Sequence, residues 1–369
     1  MPLKADAFST RRLIASPKFR AWAARFPLTR PIARRRTAEL FDLCAGFVYA
    51  QILHACVQLR VFDRLNGEPQ TAAALAAPLA LTPEATARLL DGAVALRLLE
   101  KRRGDRYGLA ALGAAMIGNV AVESMVTHHA LLYADLADPV ALLRGEAGQT
   151  RLQAYWAYAR SREPAASEPA QVSEYTTLMA ASQALVSGEI LDAYDLRRHK
   201  CLMDVGGGDG SFLRAAAASA PDLQLMLFDL PAVAARGKIR FAEAGLADRA
   251  RTVGGSFTTD SLPKGADVIS LVRVVHDHDD GNVKHLLRQA FLALPAGGTL
   301  LLAEPMAQTP GAERMGDAYF GFYLLAMGSG RPRSAALLTS LLHEAGFARV
   351  RQAATSTPLL TSLLVASKA

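Results

Sequence analysis

The stretch Lys200-Cys-Leu-Met-Asp-Val-Gly-Gly-Gly-Asp-Gly-Ser-Phe212 constrains this chain more than any other, because it reads as a short buried strand, a glycine turn and then a helix. Cys201, Leu202, Met203 and Val205 supply the apolar run, and Asp204 interrupts it near its end. Gly206, Gly208 and Gly210 allow positive φ and a close approach of backbone to ligand, and residues 211–220 read as helix. Such a turn binds a nucleotide, unless it only packs helix on strand.

A dinucleotide fingerprint would need glycine or alanine where Ser211 stands, and it would seat pyrophosphate on the helix N-terminus. Here Asp204 precedes the turn and Asp209 lies inside it. Two carboxylates repel phosphate and suit a cofactor with a cationic centre and an amino group, such as the sulfonium S-adenosylmethionine. That ligand needs a further carboxylate for its ribose hydroxyls, about twenty residues on, at the end of the next strand. Gln224-Leu-Met-Leu-Phe-Asp229 provides it as Asp229.

With 369 residues, 51% hydrophobic and 20% charged, the chain forms a sizeable core and by default two domains. Cys44, Cys56 and Cys201 show no metal-ligand spacing, which points to a reducing cytoplasm and no metal. No apolar run is expected to reach membrane-spanning length; the one from Leu131 to Leu143 is broken by Asp135, Asp138 and Pro139. The net charge of +7 is localised: residues 1–36 hold ten basic side chains against Asp6 alone, +9, which leaves −2 for the rest.

We therefore read residues 1–36 as a basic arm. Phe19, Trp22 and Phe26 interleave with its arginines, which suits an anionic membrane surface or a wrap around a partner subunit. Scarce acids also fit an organelle transit peptide, but the Ala/Arg bias runs through the whole chain.

Residues 37–195 read as a helical domain. Apolar residues from Glu39 to Arg60 cover too much of a helix for a one-sided surface element, so it packs between elements or across a dimer interface. A helix over Thr71–Ala77, a second from the Thr82 cap to Leu99 and the charged hairpin Lys101–Leu109 form a winged helix-turn-helix pattern. On the would-be recognition helix Arg88 and Arg97 are balanced by Glu84 and Asp91, which leaves little to neutralise phosphates. This argues against nucleic acid and against a cofactor-sensing regulator, and for dimerisation and substrate enclosure. The neighbours His128 and His129 would point about 100° apart on a helix and cannot share one metal.

From residue 196 to 369 strands alternate with helices: Lys200–Val205, Gln224–Asp229, Ala250–Gly254, Ala266–Val272 and Thr299–Glu304, all apolar enough for a parallel sheet buried on both faces. Ala348–Thr355 and Ser362–Ala366 are joined by a link that allows only antiparallel pairing. The expected fold is α/β, a Rossmann-like, mostly parallel seven-stranded sheet ending in an antiparallel hairpin.

Asp204-Val-Gly-Gly-Gly-Asp-Gly210, Phe228-Asp-Leu-Pro231, Gly255-Ser-Phe257, Arg273-Val-Val-His-Asp-His-Asp-Asp280, Glu304-Pro305 and Gly330-Arg-Pro-Arg-Ser334 together resemble the S-adenosylmethionine-dependent O-methyltransferases of the hydroxyindole, caffeate and polyketide type. The resemblance covers roughly residues 40–369. Within the family, the Met1-Pro-Leu-Lys4 start, the arginine-rich arm and Val272–His278 look most like members acting on hydroxycarotenoids.

The resemblance implies that Asp204, Gly206 and Gly208 hold the methionine end, Asp229 the ribose, and Leu230 and Phe257 the adenine. Ser256 replaces a family aspartate on the adenine amino group, and Arg273 replaces a lysine near the cofactor. His276 falls at the general base, and Glu304 matches the glutamate that orients it. Pro332 stands in place of the family's second glutamate, so support comes from one side only, and Asp277 cannot orient His276 simply by being adjacent in sequence. The apolar cluster Tyr319–Met327 after Glu304, with Leu178 and Met179 before the sheet, is expected to line a lipophilic pocket, with Met179, Tyr323 and Met327 as its marker residues. The implied reaction yields a methyl ether and S-adenosylhomocysteine without a metal. The implied assembly is a cytoplasmic homodimer, with peripheral contact to the inner membrane through the arm.

Overall fold

The structure is a computed structural model that describes the backbone of residues 11–160 and 183–369 and the side chains of 11–155 and 183–369. Met179 and Leu178 lie outside the described residues. Two units separate, residues 1–119 and 120–369.

In the first unit a 29-residue helix, Arg30–Gln58, runs from within the basic arm through the expected dimer helix. It packs on the helix Pro83–Ala95, where Gly92 permits the approach: a Cβ there would sit 3.1 Å from Ile52 Cδ1. Thr82 caps that second helix by accepting from the Ala85 amide at 3.1 Å, with Pro83 at its first position. Strands β1 (Gln70–Thr71), β2 (Leu99–Arg102) and β3 (Arg106–Leu109) form a small antiparallel wing in the order β1-β3-β2. The Tyr107 hydroxyl donates to Asp91 at 2.9 Å and Lys101 pairs with the same carboxylate, so the wing is tied to the helix by groups a DNA reader would need free.

The helix Arg30–Gln58 contains an 18-residue window of mean hydropathy 1.6, enough by length and composition to cross a membrane, although no unbroken apolar run reaches that length. Asp42, Gln51 and His54 break the run without lowering its average far, so a search for an unbroken stretch misses it. The same helix is buried poorly within the chain: Leu40, Phe41, Leu43 and Phe47 are each more than 60% exposed.

The second unit begins with helices Val120–Asp135, Pro139–Arg144 and Arg151–Arg160. Asp135 holds the start of the third by accepting from the Arg151 and Leu152 amides at 2.8 and 2.9 Å. Leu132, Leu142 and Leu152 pack with Tyr323, Leu324, Ala326 and Met327 in one apolar cluster.

The sheet that follows has seven strands: β4 (Cys201–Val205), β5 (Gln224–Asp229), β6 (Ala250–Gly254), β7 (Val268–Val272), β8 (Thr299–Glu304), β9 (Arg349–Ala353) and β10 (Ser362–Ser367). Their order is β6-β5-β4-β7-β8-β10-β9, and β10 alone runs antiparallel to the other six. Alternate residues fill two cores: Met203, Met226, Ile269, Leu300 and Leu364 on one face, Leu202, Leu225, Val268, Leu301 and Leu363 on the other. Burial on both faces is why β4, β5, β7 and β8 read as continuous apolar runs, while the outer strands β6 and β9 are only partly covered. The chain winds outward from β4 to β6, then returns to β7 on the other side, so the strand order reverses between β4 and β7. Ligands of such sheets sit beyond the carboxyl ends of the strands at this reversal.

Candidate active site

β4 ends in the glycine turn at the reversal. Gly206, Gly208 and Gly210 take φ of 71°, 62° and 77°, as left-handed turn positions require. Gly207 is needed for another reason, because a Cβ there would overlap the Asp204 carboxylate and Leu227. Asp204 is 1% exposed; its Oδ1 accepts from the Ser270 hydroxyl at 2.6 Å, and its buried Oδ2 has no hydrogen-bond partner. Burial, with some help from the charge of Asp229, pushes its pKa up to about 7 against the Ser270 bond.

Asp229 closes β5. Its two oxygens accept from the amides of Gly208 and Leu230 at 2.8 and 2.7 Å, so it locks the glycine turn to the start of the helix Pro231–Glu243. Desolvation nevertheless lifts its pKa to about 6. Two buried carboxylates so raised resist ionisation, and a cationic ligand would draw both back down. The unpartnered Asp204 oxygen and the open glycine backbone thus fit a ligand bearing an ammonium and a sulfonium.

Beyond β6, Gly255 is packed against Phe228, and Ser256 turns its hydroxyl to Thr258 Oγ1 at 2.7 Å while its amide donates to Asp260 at 2.8 Å. Asp260 was not foreseen; its only signal was an acid four residues after Ser256. Phe257 meets the ring of His278 edge-on at 5.0 Å.

The turn after β7 carries His276. Arg273 adopts a left-handed φ of 56° while its amide stays bonded to the Ala303 carbonyl at 2.9 Å, and Val275–Asp277 then forms a single 3-10 turn. Glu304, 2% exposed at the end of β8, accepts from the amides of Val274 and Val275 at 3.1 and 2.7 Å and also holds His276 Nδ1. His276 is 7% exposed and lies edge-on to Phe320 at 5.5 Å.

Asp277 Oδ1 lies 3.1 Å from His276 Nε2, so a second carboxylate faces the ring at the nitrogen away from Glu304. Sequence neighbours on an extended strand point apart, but the 3-10 turn swings them together. Burial pulls the imidazole pKa down, and the charges of Asp277 and Glu304 outweigh it, so the net shift is upward from the ordinary histidine value.

A general base must be neutral to act. The rate at low substrate should therefore fall as pH drops through a midpoint above 6.5, the usual histidine value. A pH profile of kcat/KM checks this, and a midpoint at or below that value would contradict it. The stability effect has the opposite sign: a raised histidine stabilises the fold fully below its unfolded pKa, and this is lost as pH rises through the folded one.

Tyr323 and Met327 are 7% and 2% exposed and belong to the apolar cluster of the second unit. Tyr319 and Tyr323 stack at 5.8 Å, and their hydroxyls bond His129 and His128 at 2.8 and 2.7 Å. The two histidines, expected only to diverge, each anchor one tyrosine of the wall beside His276. Burial lowers the His128 pKa to about 4, so His128 stays neutral near pH 7.

Among the described residues no group of histidine, cysteine and carboxylate side chains is arranged to hold a metal ion. Residues 133–348 match the O-methyltransferase domain family, and residues 41–119 match the O-methyltransferase dimerisation domain. The chain is 47% identical over 340 residues to demethylspheroidene O-methyltransferase of Cereibacter sphaeroides, covering 92% of this chain and 89% of that one. It is 41% identical to the enzyme of the same name from Rhodobacter capsulatus, covering 97% and 88%. It superposes on human N-acetylserotonin methyltransferase in complex with SAM with a TM-score of 0.73 at 25% identity, covering 90% of this chain and 97% of that one. With the glycine turn, the two crevice carboxylates and the buried His276–Glu304 couple on one sheet edge, the chain belongs to the S-adenosylmethionine-dependent O-methyltransferases.

Proposed function

We propose that the acceptor is the hydroxyl of a lipophilic hydroxycarotenoid, and that the products are its methyl ether and S-adenosylhomocysteine. The likeness to two demethylspheroidene O-methyltransferases supports the substrate class, and the observation that carries the chemistry is the buried His276 held by Glu304. When bound, S-adenosylmethionine supplies a methyl group on a positively charged sulfur.

In this reading Asp204, Gly206 and Gly208 bind the amino acid end and Asp229 the ribose. Leu230, Ser256 and Phe257 border the adenine, and Arg273 lies near the cofactor. His276 takes the proton from the attacking hydroxyl at Nε2, a nitrogen the hydroxyl must share with the Asp277 carboxylate 3.1 Å away, and Glu304 stabilises the imidazolium at Nδ1. Tyr323 and its neighbours form the apolar wall, which excludes water. Purified protein, S-adenosylmethionine and detergent-dispersed demethylspheroidene should give a product heavier by one methylene in mass spectrometry. Turnover of N-acetylserotonin with none of the carotenoid would reassign the acceptor to a phenolic or indolic hydroxyl.

The exposed apolar face of Arg30–Gln58 supports a homodimer closed through this helix. Ahead of it, the helix Pro17–Arg25 displays Trp22, half exposed and stacked on Phe26 at 4.9 Å, among basic residues. We read this arm as a peripheral contact with an anionic membrane on the cytoplasmic side, each basic residue near the surface adding about 1 kcal/mol. Deletion of residues 1–28 should cut co-sedimentation with phosphatidylglycerol vesicles by about tenfold or more, and undiminished binding would remove the arm from this role.

A further inference from the structure

The segment Ser329–Arg333 lies along the turn that carries His276 and takes up its carbonyls one after another. Arg333 Nη1 donates to the Val275 carbonyl at 2.9 Å, the Arg331 amide to that of His276 at 2.9 Å, the Ser329 hydroxyl to that of Asp277 at 2.9 Å, and Arg333 Nη2 to that of His278 at 2.8 Å. Between them the Gly330 amide donates to Asp279 at 3.1 Å, and a Cβ at Gly330 would run into the His276 carbonyl. The Arg333 guanidinium also binds Asp280 through Nε at 3.0 Å and Nη2 at 2.6 Å, at the first turn of the helix Asp280–Ala293.

The Arg333 side chain is 1% exposed and that of Asp280 47%. A guanidinium is costly to bury unless its donors are used, and here they are divided between two carbonyls of the turn and a carboxylate. None of these contacts reaches the imidazole. They fix the backbone from which the imidazole projects, on the side opposite the Glu304 grip on the Val274 and Val275 amides.

We propose that Arg333 is a positioning residue: it sets His276 through the main chain, in a segment where Pro332 brings no carboxylate to support the ring. The proposal rests on His276 being the base. Amides held by Glu304 and carbonyls held by Ser329–Arg333 clamp the turn from both sides, and the imidazole then has little freedom left.

Arg333→Lys keeps the charge and loses the planar fork that spans three acceptors. With S-adenosylmethionine and detergent-dispersed demethylspheroidene, kcat should fall by about tenfold or more, while cofactor affinity by calorimetry stays within about twofold. In a His276→Ala background the same substitution should change the residual rate by less than about twofold, because nothing remains for it to position. An equal loss in both backgrounds, or no loss in the native one, overturns the positioning role. A His276→Ala variant that keeps its rate overturns the base assignment first, and this role with it. If Arg333→Lys does not fold, Asp280→Asn at the exposed end of the contact serves. It should lower kcat by about threefold, and this loss too should vanish without His276; a loss that persists there, or none at all, overturns the proposal.

Discussion

Replacement of His276 by alanine should lower kcat by about a hundred- to ten-thousandfold, the range a positioned base contributes, which corresponds to roughly 2.7–5.5 kcal/mol of barrier. The hydroxyl is a weak nucleophile until its proton leaves, and in the proposed reading the buried imidazole, held by Glu304 at Nδ1, takes it. Cofactor affinity should stay close to native, since the turn glycines, Asp204 and Asp229 are untouched. Single-turnover methyl transfer measured beside calorimetric binding separates the two quantities. A kcat loss below about tenfold would mean that alignment alone drives the reaction and that His276 is a structural part of the turn.

The second large effect belongs to Asp229. Alanine there should weaken S-adenosylmethionine by about a hundredfold or more, since hydrogen bonds to a charged acceptor contribute roughly 1.5–3 kcal/mol each. It would also release the Gly208 and Leu230 amides that the carboxylate now holds. Because its pKa is lifted to about 6 in the free protein, binding should weaken as pH falls through that value, where the carboxylate gains a proton. Titration calorimetry at two pH values tests both statements, and an affinity change under about threefold for Asp229→Ala would remove it from the site.

Much of this was legible in the sequence because the signals are local. The strands of the large sheet begin within two residues of where their apolar runs begin, and Asp204, the glycines and Asp229 declare themselves by spacing within one strand-turn-helix-strand unit. What stayed hidden depends on the path of the chain. Arg333 meets the base turn from 55 and 58 residues away, and the His128–Tyr323 and His129–Tyr319 pairs span 195 and 190. The Asp277 contact is hidden differently: the residues are adjacent, but their facing depends on one 3-10 turn that Val-His-Asp does not announce. The membrane-length average of Arg30–Gln58 escaped because scattered polar residues mask a hydropathy that only a whole-helix view sums.

Arg273 shows what the site demands of the fold. A non-glycine residue in the left-handed region costs on the order of 1 kcal/mol that glycine would not, and the strain falls just before the base turn. Its positive charge lowers the proton affinity of His276, against the two carboxylates that raise it. Glycine at position 273 would therefore relieve the backbone strain and remove a positive charge that opposes protonation of His276.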